Sequence, residues 1–204
     1  LWKEYICLKN DSQILIASSN SGKIKEFKRL FKDHQIYSLS DFKISDAIED
    51  GVSFIENALI KAKHGSFFSK KYTIADDSGL VVPDLGYEPG IFSARYAGEN
   101  ATDEENRNFL INKIKRTKKR TLNAYYVCVM VGLKSHDDPR PIITQGEIHG
   151  KVSVYSKGKG GFGYDKIFYP SGYQCSMAEI DSEVKNKISH RAIATNKFLQ
   201  LFNS

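Results

Sequence analysis

The sequence predicts a mixed α/β protein, and three observations carry that expectation. Short apolar runs rich in β-formers alternate with segments of helical spacing in the first half, whereas β-type runs dominate the second. Two helix starts are marked by capping boxes, Ser53 with Glu56 and Thr102 with Glu105. The 204 residues are 41% hydrophobic and 26% charged, a composition that excludes collagen, coiled coil and disorder and suits one generous domain at ~150 residues per domain. No repeat or linker interrupts the chain, so residues 1–204 are expected to form a single domain of two lobes.

The elements follow in order. Residues 13–17 (QILIA) read as a short apolar strand that ends in Ser18-Ser19-Asn20-Ser21-Gly22-Lys23. Ile24, Phe27, Leu30 and Phe31 then recur at helical spacing, and residues 35–39 read as a second strand. The helix begun at Ser53 reaches to about Phe68, with Phe54, Ala58 and Ala62 on one face and Asn57 and Lys61 on the next. Residues 72–75 form a strand running into Asp76-Asp77-Ser78-Gly79, and residues 80–82 resume it. After a loop rich in Gly and Pro, the Thr102 helix carries Phe109, Leu110 and Ile114 and ends in the basic run 115–120. Residues 124–133 and 142–149 read as long strands, residues 158–163 as a glycine-dense loop, and Ser189 as the N-cap of a last helix bearing Ile193, Phe198 and Leu201.

Composition narrows the function. The longest apolar stretch, residues 125–133, is far short of the ~18 residues that cross a bilayer. Nothing resembles a signal peptide, and the three cysteines, Cys7, Cys128 and Cys175, have neither disulfide-framework nor zinc-site spacing. A reducing, cytoplasmic setting is expected. Thirty basic against 24 acidic residues leave a charge of +6, which favours anionic partners.

Four constellations are chemically suggestive, and each has a plainer reading. The loop at residues 18–23 lies between a strand and a helix, so its amides, the helix dipole and Lys23 make an anion site, or simply a capped polar turn. Asp76 and Asp77 end an apolar strand, where carboxylates are costly unless offset by a cation such as Mg²⁺; the alternative is an Asp turn. Residues 160–165 (GGFGYD) let the backbone approach a ligand while Phe162 offers a face for a base, or they form a tight turn. Ser189-His190-Arg191 supplies donors for a carbonyl or phosphate, or a solvated cap. Lys185 and Lys187, by residue type alone, are a solvated face, and the basic run is a solvated loop rather than a nucleic-acid contact.

Taken in order, residues 18–23 (SSNSGK), 51–62 (GVSFIENALIKA), 75–79 (ADDSG), 89–98 (PGIFSARYAG), 160–165 and Lys185 with Ile188-Ser189-His190-Arg191 resemble the inosine triphosphate pyrophosphatase family. The chain departs from it in Ser18-Ser19, where Thr-Gly is common, in Lys166, where proline is usual, and in Val184, where glutamate is frequent. The resemblance implies an elongated mixed β-sheet with flanking helices forming two lobes around a central nucleotide-binding cleft, and a homodimer. It implies hydrolysis of inosine, deoxyinosine and xanthosine triphosphates to the monophosphate and pyrophosphate. It assigns the catalytic base to Asp77, and Mg²⁺, with Mn²⁺ as an alternative ion, to Asp77, Glu49 and Asp76. Ser18, Asn20, Lys23 and Lys61 are expected at the phosphates. Phe162 is expected to stack on the purine, with Asp165, Lys185, His190 and Arg191 lining the base and sugar, and Ser78, Gly163 and Tyr164 are expected among the substrate-binding residues. A relative acting on modified pyrimidine nucleotides, a catalytically silent nucleotide-binding protein and a nucleic-acid-binding module are the competing readings.

Overall fold

The computed structural model describes residues 13–204, so Cys7 lies outside the described residues. Strand β1 (Gln13–Ile16) pairs in parallel with β2 (Gln35–Ser38) and with β3 (Tyr72–Val81), Ile14 standing opposite both Ile36 and Tyr72. Ile14, Leu15 and Ile16 are fully buried, which explains why β1 is an unbroken apolar run instead of an alternating one. Helix α1 (Ser21–Leu30) follows β1, and α2 (Phe54–Ser69) precedes β3. Small residues line the buried side of α2: Ala58, Ala62, Gly65, Ser66 and Ser69 recur at three- and four-residue steps.

The chain continues through α3 (Asp103–Arg116), β4 (Thr121–Leu133), β5 (Ile142–Ser153), β6 (Phe168–Pro170), α4 (Ser182–Ile188) and α5 (His190–Phe202). The six strands form one mixed sheet in the order β2-β1-β3-β4-β5-β6, with β5 and β6 antiparallel. The α/β expectation is therefore met. Three elements differ from the sequence reading. β3 runs unbroken through residues 76–79. β6 is three residues long, too short for a pattern of alternation to reveal it. α4 buries none of its side chains, so no apolar stripe announced it; Asp181 caps it by accepting the Glu183 N–H at 2.8 Å.

Two compact units emerge from the internal contacts. The first holds the described residues up to Asp76 together with Met130–Ile143, and the second holds Asp77–Val129 with Thr144–Ser204. The core of the second is built from Leu80, Leu110, Ile114, Leu122, Phe168 and their neighbours, drawn from β3, α3, β4 and β6.

One glycine of the second unit fixes the start of α5. A Cβ at Gly146 of β5 would lie 2.1 Å from the His190 carbonyl oxygen and 2.4 Å from the Ala194 nitrogen, so the strand and helix backbones meet where no side chain fits. Neither atom belongs to a flexible side chain that can swing aside. Gly146→Ala is expected to destabilise the protein by roughly 1–3 kcal/mol, a fall of ~2–12 °C in melting temperature. Thermal unfolding checks this, and an unchanged transition would mean that α5 yields without cost.

Candidate active site

In the first unit, the loop after β1 is organised by its own side chains. Ser18 Oγ accepts the Asn20 N–H at 3.2 Å, and Asn20 Oδ1 caps α1 by accepting the Lys23 N–H at 3.0 Å. Helix α1 thus begins at Ser21 and places Lys23 in its first turn. The Lys23 ammonium reaches Asp76 Oδ2 at 2.9 Å, with the Asp76 side chain fully buried. That ion pair gives a physical reason why β3 carries a carboxylate without breaking.

A second lysine–carboxylate pair lies in the same unit, where Lys61 of α2 meets Glu49 at 3.1 Å. The Glu49 segment is tied to α2 through Asn57, whose Oδ1 accepts the Gly51 N–H at 2.9 Å. Ser53 Oγ caps α2 by accepting the Glu56 N–H, but the expected box is not closed, because Glu56 Oε2 accepts the N–H of Val52 instead of that of Ser53. Both lysines expected at phosphates therefore stand beside a carboxylate expected at the metal.

The second unit gathers the remaining residues. Asp77 is 6% exposed in β3. Arg191, buried at the start of α5, donates from Nη2 to Ser78 Oγ at 3.2 Å. Asp165 Oδ2 accepts both the Phe162 N–H at 2.9 Å and the Lys185 ammonium at 2.6 Å. Phe162 keeps its ring 52% exposed, with Lys185 Nζ 5.0 Å and Arg191 Cζ 5.9 Å from its centroid. An electron-rich ring flanked by cations and half open to solvent is suited to take a flat, polar heterocycle.

Ser189 ends α4 and caps α5 by accepting the Ala192 N–H at 3.1 Å, so His190 and Arg191 occupy the first turn of α5 as expected. The His190 ring stacks on Tyr126 of β4, centroids 4.7 Å apart and planes within 6°. Burial pushes the Tyr126 phenol well above its ordinary range, and the nearby Asp165 carboxylate adds to this. Burial raises Tyr164 in the same way, and its hydroxyl donates to the Ser93 carbonyl at 2.8 Å. Tyr126 was hidden from sequence reasoning inside an apolar run, where nothing distinguishes it from core.

The donor set fits a hard divalent ion in kind, because Glu49, Asp76 and Asp77 are all carboxylates. Among the described residues no group of three or more His, Cys, Asp or Glu side chains is placed to hold a metal. Mg²⁺ does not require one, since it takes one or two carboxylates along with phosphate oxygens and water.

Comparison with known proteins decides the family. A sequence profile of the Ham1 family matches residues 14–201, which include every residue of both groups. This chain belongs to the Ham1 family. A dITP/XTP pyrophosphatase of Legionella pneumophila (strain Lens) is 47% identical over 189 residues, covering 93% of this chain and 97% of the relative. Among solved structures, a HAM1 protein from Coxiella burnetii superposes with a TM-score of 0.87 at 37% identity, covering 94% of this chain and 98% of that one. The Staphylococcus aureus Ham1 protein gives 0.84 at 40% identity with the same coverage. The resemblance drawn from the sequence motifs is thereby borne out for the family and for the mixed-sheet fold of this Ham1 protein.

Proposed function

We propose that this Ham1-family chain hydrolyses non-standard purine nucleoside triphosphates, namely inosine, deoxyinosine and xanthosine triphosphates, to the monophosphate and pyrophosphate, clearing them from the nucleotide pool. The observation that carries this is the 47% identity with a dITP/XTP pyrophosphatase over 93% of the chain. Release of pyrophosphate requires a water activated at the α-phosphorus and neutralisation of the charge on the leaving pyrophosphate. Asp77 is the proton acceptor. Lys23 and Lys61 offset the phosphate charges, with Ser18, Asn20 and the first amides of α1 beside them. Asp77, Glu49 and Asp76 are the carboxylates that would hold Mg²⁺, or Mn²⁺ in its place. When bound, the ion polarises phosphoryl oxygens and neutralises developing charge.

The purine stacks on Phe162, while Ser78, Gly163, Tyr164, Asp165, Lys185, His190 and Arg191 surround the base and sugar. Arg191 or His190 donates to the 6-oxo group. Adenine presents an amino donor there instead, and a buried donor left facing another donor discriminates strongly. A nucleic-acid-binding module would leave the buried carboxylates Asp76 and Asp77 without a purpose. No described helix is long and apolar enough to cross a membrane. The protein acts in the cytoplasm as a homodimer, which light scattering on the purified chain tests directly.

The test of the activity is pyrophosphate release from inosine triphosphate, with adenosine and guanosine triphosphates alongside, in Mg²⁺ and again with chelator. Turnover of the inosine substrate that is abolished by chelator and restored by Mg²⁺, with little from the other two, is the expected result. Turnover confined to modified pyrimidine nucleotides would move the protein to a different substrate class. Binding without turnover would make it a sensor.

A further inference from the structure

Gly163 is held by two side chains of one helix. Asp103, the first residue of α3, accepts the Gly163 N–H through Oδ2 at 2.7 Å. Arg107, one turn further on, donates from Nη1 to the Gly163 carbonyl at 2.9 Å and to the Asp103 carbonyl at 3.3 Å. Four-residue spacing brings both side chains to one face of α3, so the amide group on each side of a single glycine is gripped from there. Gly163 has φ 56°, in the left-handed region, and a Cβ built on it meets nothing within 4 Å. No side-chain packing of its own holds this residue in its turn. Polar bonds from α3 do, while Asp165 anchors the preceding residue through the Phe162 N–H at 2.9 Å.

Neither side chain is needed to build α3, whose N-terminus is already closed by the box in which Glu105 accepts the Thr102 N–H and Thr102 accepts the Glu105 N–H. Arg107 is only 8% exposed, and burying a guanidinium is costly unless its bonds serve a purpose. Charge-assisted bonds of this kind are about twice as strong as neutral ones. We propose that Asp103 and Arg107 are positioning residues for base recognition: from α3 they hold the 160–165 turn in the shape that presents Phe162, and so set the affinity for the purine without touching the phosphates. This rests on the proposal above that Phe162 carries the base.

The test compares Asp103→Ala and Arg107→Leu with Phe162→Ala. Loss of one such bond is expected to raise KM for inosine triphosphate and Ki for inosine monophosphate roughly tenfold. The turnover number at saturation is expected to stay within about twofold, because the interaction is made equally in the ground and transition states. Ki for pyrophosphate, which has no base, is expected not to change. Arg107→Lys and Asp103→Asn, which keep a donor and an acceptor, should recover part of the affinity. Asp103→Ala removes a bond at the exposed start of α3 and carries the test even if Arg107→Leu does not fold.

A structural role alone would lower the melting temperature and the active fraction without separating the two inhibitors. If Phe162→Ala weakens monophosphate binding while folded Asp103 and Arg107 variants do not, the positioning role is wrong and the base platform stands. If Phe162→Ala changes nothing, the platform fails and the positioning role falls with it.

Discussion

Asp77→Asn is expected to lower pyrophosphate release from inosine triphosphate by ~10²–10⁴-fold, the usual contribution of a positioned general base. The amide is nearly isosteric with the carboxylate but accepts no proton and carries no charge for a divalent ion. The site is 6% exposed, so the variant exchanges a buried carboxylate for a neutral group of the same shape. Turnover measured across a range of Mg²⁺ concentrations separates the two duties assigned to Asp77. Recovery at high Mg²⁺ would leave Asp77 only as a metal ligand and place the base elsewhere. A loss that persists at every Mg²⁺ concentration supports the general base, and turnover within about tenfold of the parent would remove Asp77 from the chemistry altogether.

What the sequence made legible is what acts over three or four residues. The Ser53 cap, the Thr102–Glu105 box and the Ser189 cap all form through bonds from a side chain to an amide three positions away, so their residue types announce them. β1 was legible for a different reason: a strand with parallel neighbours on both sides is apolar throughout. The pairings that give the candidate site its electrostatics were not legible. Lys23 with Asp76 and Lys61 with Glu49 join separate elements, and nothing in the composition of either partner names the other. Asp103 reaches Gly163 across 60 residues, and at sequence level it is an ordinary acidic residue in a helix's first turn. β3 shows the same limit in reverse. Asp76-Asp77-Ser78-Gly79 has the composition of a turn, yet it continues as strand, and the compensating cation for Asp76 comes from α1.

That compensation makes Lys23→Ala the most damaging single truncation expected for stability. The Asp76 side chain is wholly buried, and Lys23 keeps only 16% of its own surface. Removing the lysine of a buried ion pair withdraws its charge from the buried carboxylate and costs about 3–5 kcal/mol. For a chain of this size that is a fall of ~6–20 °C in melting temperature. Asp76→Asn should cost less, because a lysine freed from its partner can carry its ammonium to water along a flexible stem. The double variant Lys23→Ala with Asp76→Asn should recover much of the loss, since both charges of the pair are then removed together, and the four proteins form a cycle that isolates the pair. If Lys23 served only to meet phosphate, Lys23→Ala would weaken substrate binding and leave the melting temperature where it was. The two outcomes differ in the protein alone, before any nucleotide is added. Turnover by Asp76→Asn then separates its structural pairing from any duty at the metal: activity retained at ordinary Mg²⁺ leaves that duty to Asp77 and Glu49, and activity recovered only at high Mg²⁺ assigns Asp76 a share of it.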